Sequence, residues 1–217
     1  MIGKRLSVGV FAALLAVATF LVSPQSVVAL FVWSVAAMVL HRGLLGELEE
    51  FRGEAIFLAY CAGALVLYLL QMWTYPEYYG FSGPGFGIGT DDSHFYSQVA
   101  RGLPWDFPVR QGYDLVPHQF SRFLIFLTRP FALVFPNTHP LEFLYLNALG
   151  MSLLPPLTAG LARHLFAEEK VTRAAFLMTV LCPFMLANAL ILMRDGWMAM
   201  LFTGGLYFTL TRRWLPL

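Results

Sequence analysis

Apolar residues in this chain come in long blocks separated by short polar punctuation. A membrane-crossing helix needs about 20 mostly apolar residues, and six blocks approach that length: 6–22, 27–41, 55–73, 141–161, 174–193 and 197–211. Each block ends on a recognisable signal. The first stops at Ser23-Pro24, where proline ends a helix readily, and the second at His41-Arg42. The third closes on Trp73, Tyr75, Tyr78 and Tyr79, aromatics that prefer the depth of the lipid headgroups. The fourth contains Asn147 and the pair Pro155-Pro156, which predicts a kink. The fifth contains Pro183 and Asn188, and only Arg194-Asp195-Gly196 separates it from the sixth. The predicted fold is an all-α membrane protein, one polytopic domain over 1–217, with about six transmembrane helices and a long loop over 74–140.

Within that loop the segment 120–136 is apolar enough to suggest a seventh crossing. Arg122 and Arg129 stand seven apart on one helical face, however, and Pro130 interrupts the run. That pattern fits an amphipathic helix lying in the interface.

Composition supports the membrane reading. Of 217 residues 58% are apolar and only 12% charged, with mean hydropathy +0.65. These values exclude a disordered chain and disfavour a soluble domain. Net charge is +1, so no global field attracts nucleic acid. Cys61 and Cys182 both sit in apolar blocks, as packed or lipid-facing thiols. Lys4 and Arg5 before the first block resemble a signal-peptide start, but no soluble domain follows, so that block is read as a first transmembrane helix.

Charge bias sets the orientation. Lys4, Arg5, Arg42, Arg52, Arg163, Lys170, Arg173, Arg212 and Arg213 fall on one side of a six-span layout. Cytoplasmic loops accumulate such residues, which puts both termini in the cytoplasm and the 74–140 loop outside.

That loop holds most of the candidate chemistry. A Gly-rich turn delivers Asp91-Asp92, followed by His94 and Tyr96 on a short amphipathic helix. A carboxylate beside a membrane can act as general base toward a hydroxyl, or bind a hard cation such as Mg²⁺ or Mn²⁺. At a helix start the same residues cap free N–H groups. His94 is a candidate for phosphate or a shared metal, and equally an interfacial histidine in water. Arg194-Asp195 is either a solvated hairpin cap or a phosphate site at the membrane rim. Arg122 and Arg129, with His118, can meet lipid headgroups or the diphosphate of a lipid-linked substrate. Asn147 and Asn188 are expected to hydrogen-bond between helices.

Two of these motifs carry a resemblance. The loop motif G-x-D-D-x-x-x-Y from Gly89 to Tyr96, and the later proline followed by a basic-acidic pair, Pro183 to Asp195, resemble the polytopic GT-C class of glycosyltransferases and allied membrane polysaccharide polymerases. The resemblance implies a polyprenyl-phosphate-linked sugar donor used at the exterior face of a bacterial cytoplasmic membrane. It implies Asp91 or Asp92 as base or metal-associated residue, with Arg194 holding the lipid phosphate; His94, Arg122, Arg129 and Asp195 stand beside them as substrate-binding candidates, as does Tyr96, which also suits an interface anchor. The alternative from a different class is a non-enzymatic subunit or scaffold whose polar loop docks a partner membrane protein or a second copy. A transporter fits less well, because the ionisable residues gather at one face and not at the bilayer midplane.

The topology is testable directly. Cysteine placed at Ser93 should react with an impermeant thiol reagent added outside the cell, and cysteine at Glu168 should not. The opposite pattern would invert the orientation and remove the shared exterior face.

Overall fold

A computed structural model describes residues 2–43, 45–74, 139–190 and 194–211. These form seven α-helices, one 3-10 helix and no strand. They are α1 (Ile2–Val22), α2 (Pro24–Gly43), the 3-10 helix Gly46–Phe51, α3 (Gly53–Thr74), α4 (Pro140–Phe166), α5 (Glu169–Leu181), α6 (Pro183–Leu190) and α7 (Arg194–Thr211). Every block read from the sequence is helical over its described residues, apart from Cys182 within the fifth. Length and apolarity qualify three helices to cross a membrane, over Pro24–Gly43, Gly53–Leu70 and Leu141–Phe166. The α5–α6 pair, bent by 53°, makes a fourth if it counts as one span. The apolar part of α1, Val8–Val22, is shorter than this. The six-span layout goes beyond that count.

Proline has different effects at different places. Pro24 ends α1 and opens α2, because the first helical position needs no N–H. Ser23 bridges the two helices: its N–H donates to the Thr19 carbonyl and its hydroxyl accepts from Ser26 Oγ at 2.8 Å. Pro183 breaks the fifth block into α5 and α6, with Cys182 extended between them. Pro155 and Pro156 lie inside α4, which continues through both as one helix.

The fold is organised about α4. Residues 141–152 are all buried, more than three consecutive turns. A helix covered on every side belongs at the centre of a bundle, and α2, α3, α5, α6 and α7 all pack on this one. Two glycines bring α7 close. A Cβ on Gly150 would lie 2.7 Å from the Trp197 ring, and one on Gly160 equally close to Tyr207. The two contacts have the same sequence offset, so α4 and α7 run parallel. The outer faces of α1, α2 and α7 show Leu14, Val17, Phe31, Val39 and Phe202 outward, the surface expected toward lipid.

The described ion pairs gather at one end of the bundle, where α2 and α4 finish and α3 and α5 begin. Arg42 pairs with Glu54 at 3.0 Å, and Arg173 with Glu169 at 2.7 Å. Arg163 contacts Glu50 and Glu169 and lies 5.7 Å from the Phe51 ring centroid. Exposed pairs of this kind add little stability individually. The opposite end holds the α1–α2 turn, the end of α3 and the start of α4. Residues 75–138 connect to the described helices there, through Thr74 and His139, so this end is called the loop end below.

Near the charged end the His41 ring is buried, with Nε2 3.1 Å from Ser152 Oγ. Ser152 donates its hydroxyl proton to the Leu149 carbonyl, which leaves its oxygen to accept from the Nε2–H of His41. The ring needs the space above Gly53, where a Cβ would sit 2.0 Å from Nδ1 and Cε1. Gly53→Ala should therefore destabilise the protein in detergent by about 1–3 kcal/mol. Gly46→Ala, whose Cβ meets nothing within 4 Å, should not. Equal melting temperatures for the two variants would show that the ring moves aside at little cost.

Candidate functional site

Two buried polar constellations lie toward the loop end. The first is at the start of α4. His139 caps the helix: its Nδ1 accepts from the Leu141 N–H at 3.3 Å, and Pro140 takes the first helical position. With Nδ1 occupied as acceptor, the neutral ring carries its proton on Nε2, which donates to Tyr68 Oη at 3.3 Å. The two rings meet edge to face with centroids 5.2 Å apart. One turn further on, Tyr145 Oη and Thr19 Oγ1 share a hydrogen bond of 2.7 Å that ties α1 to α4. Between these pairs lies Glu142, only 1% exposed. Its third-residue position is that of the acid in a capping box, reaching back toward the His139 backbone N–H. The Gln25 side chain also approaches it, yet neither carboxyl oxygen makes a hydrogen bond of normal geometry.

The second constellation closes the gap between α6 and α7. A helix ends with unpaired carbonyls and begins with unpaired N–H groups, and in a membrane interior each must be satisfied by protein. The Asn147 Nδ2 donates to the Asn188 carbonyl at 2.6 Å and the Ala189 carbonyl at 3.3 Å, which caps α6. Asn188 Oδ1 accepts from the Gly196 N–H at 3.0 Å, which caps α7, while its Nδ2 donates to the Phe184 carbonyl. The Trp197 indole N–H donates to Asn147 Oδ1 at 2.8 Å and completes the network. Residue 196 is glycine because a Cβ would lie 2.5 Å from the Met151 sulfur. The two asparagines therefore do hydrogen-bond between helices.

Asp91, Asp92, His94, Tyr96, Arg122 and Arg129 all lie outside the described residues, as do the 120–136 segment and the rest of the loop. The backbone of Arg194 and Asp195 opens α7, one turn ahead of the Trp197–Asn147 bond; their side chains lie outside the described set. Among the described residues no group of three or more His, Cys, Asp or Glu could hold a metal. Both cysteines are free thiols, Cys61 buried and Cys182 half-buried. Sequence reading passed over Glu142 and His139. The available signal was the His-Pro-x-Glu order immediately before an apolar block, which is a helix-start pattern.

The chain matches no protein-family model, no curated protein and no solved structure. Any function must be argued from its own residues.

Burial holds the His139 imidazole down to about 4, while in the unfolded chain it titrates near 6.5. Between those values the unfolded state takes up a proton that the folded state refuses. Stability should fall by about 3 kcal/mol as the pH drops from 6.5 to 4, with no contribution above that window. His139→Asn keeps a capping acceptor without the titration, so its acid loss should be smaller by that amount. Unfolding curves that fall in parallel for the two proteins would rule out His139 as the source.

Proposed function

We propose that the protein is a polytopic glycosyltransferase-like membrane enzyme that takes a sugar from a polyprenyl-phosphate carrier at the exterior face. In this reading six helical units cross the bilayer, both termini are cytoplasmic, and the charged end of the bundle faces the cytoplasm as the Lys/Arg rule requires. Asp91 or Asp92 removes the proton from the acceptor hydroxyl. The acceptor oxygen then bonds to the anomeric carbon as the bond from that carbon to the phosphate oxygen breaks. Arg194 neutralises the departing phosphate. Asp91 and Asp92 are hard oxygen donors of the kind Mg²⁺ or Mn²⁺ takes, and such an ion would screen phosphate charge.

The observation that carries this reading is the position of the second resembling motif. The chain re-enters the bundle at Arg194 on the loop side of α4, and Asn188 and Trp197 pin the start of α7 there. The loop with the two aspartates leaves α3 at Thr74 and joins α4 through His139, at the same end. A second feature agrees. An apolar cleft of about 220 Å³ lies along α7 between Leu153, Leu157, Met200, Gly204 and Phe208. At 1.5 Å rise per residue it begins about 9 Å beyond Arg194, a suitable course for an isoprenoid chain whose phosphate sits at the helix start.

Photo-crosslinking tests the reading. Purified protein in nanodiscs should crosslink to a photoactivatable polyprenyl phosphate, and Arg194→Ala should weaken this about 10- to 100-fold, as expected for a lost charge-assisted contact. Asp91→Asn and Asp92→Asn should retain crosslinking and abolish release of polyprenyl phosphate from a sugar-loaded carrier. Absent crosslinking, together with aspartate variants that lose a co-purifying membrane partner, would instead establish the scaffold role.

A further inference from the structure

Glycine inside a helix is disfavoured relative to alanine, so each one invites a reason. Gly63, Gly150, Gly160 and Gly196 have a packing reason, because an added Cβ would lie only 2.5–2.7 Å from a neighbouring side chain. Gly204 and Gly205 have none. A Cβ on Gly204 would make an ordinary contact with Leu157 at 3.5 Å, and one on Gly205 would meet nothing within 4 Å. Both lie in the regular helix α7, so backbone conformation does not call for glycine either.

What the two missing side chains leave is the cleft itself, about 220 Å³, with Gly204 and Gly205 on its α7 side and Leu153 and Leu157 on its α4 side. Every lining side chain is apolar, so water finds no partner there and the space takes hydrocarbon. Leu201, on the rim, is exposed, which leaves a lateral way in from the bilayer. The distance from Arg194 is fixed by the helix. Met200 lies about 9 Å, Gly204 about 15 Å and Phe208 about 21 Å beyond it along α7.

We propose that Gly204 and Gly205 are specificity-determining residues for the lipid carrier. By withholding two side chains they keep open a slot for the stretch of isoprenoid about 9–21 Å from the phosphate, and the rest of the chain stays in the bilayer. Hydrocarbon gains little by leaving lipid for an equally apolar wall. The selectivity therefore comes from packing: the chain fills a space that otherwise lacks contacts on one side, and a side chain grown into that space excludes it. This assignment rests on the polyprenyl-phosphate reading above and specifies where the carrier's chain lies.

The test uses the full chain in phospholipid nanodiscs and synthetic polyprenyl phosphates that carry one diazirine at a chosen depth. A diazirine about 15 Å from the phosphate, level with Gly204, should leave adducts on Leu153, Leu157 or Met200, located by peptide mass spectrometry. One more than about 27 Å away, past the end of α7, should label bulk lipid and not these residues. Gly205→Leu should cut the slot adducts about tenfold or more, as overpacking implies. Leu206→Phe, on the exposed side of α7, should leave them unchanged. The wild-type adduct map stands even if Gly205→Leu fails to fold. No adduct from any probe, including one with its diazirine beside the phosphate, would overturn the carrier reading and this assignment together. Adducts from the phosphate-end probe with none in the slot, or slot adducts undiminished in Gly205→Leu, would overturn this assignment and leave the carrier reading in place. A Gly205→Leu variant that turns a dimer into monomers with its adducts unchanged would give the slot to a second copy of the chain.

Discussion

The arrangement depends on how backbone groups are satisfied where the chain breaks inside the bundle. Between Leu190 and Arg194 a helix ends and another begins, beside the second and third turns of α4. In hydrocarbon, unpaired carbonyl and N–H groups at such a break would cost several kcal/mol each. Asn147 and Asn188 remove that cost between them. One donates to the outgoing carbonyls, the other accepts from the incoming N–H, and Trp197 orients the first. Because Asn147 is carried by the central helix, the height at which the chain turns back is set by α4 and not by the length of the connector.

Close helix approach follows from the same economy. Lipid tails are as apolar as leucine, so helices in a membrane gain little from hydrophobic burial against each other and rely on packing and hydrogen bonds. The glycines of α4 and α3 allow that packing. Gly150 and Gly160 admit the rings of Trp197 and Tyr207, Gly53 admits His41, and Gly63 sits against Leu190. Trp197 and Tyr207 on α7 thus each fill a notch on α4.

Much of this was legible in the sequence because the relevant signals are local. Apolar block length located the described α-helices, but it read the fifth block as one span, which the structure breaks at Pro183 into α5 and α6. The in-block asparagines announced interhelical hydrogen bonds, since an amide in hydrocarbon needs a partner. Pro24 shows where local reading is ambiguous: the residue that ends one helix equally well starts the next. Glu142 was missed for a different reason. Its interest comes from burial under the α1–α2 turn, a contact between residues more than a hundred positions apart that no spacing rule reveals. The aspartate motif and the interfacial arginines were legible as candidates, while their mutual geometry lies beyond the described residues.

The two aromatic contacts on α7 have a mechanical consequence. Trp197 and Tyr207 enter separate glycine notches on α4 nearly three turns apart. A helix engaged at two such points can neither slide along its neighbour nor rotate about its own axis unless both rings leave their seats together. Displacement at one end of α7 is therefore transmitted to the other as motion of a stiff rod. Whatever happens at Arg194 is coupled, through some 25 Å of helix, to the Thr211 end of α7.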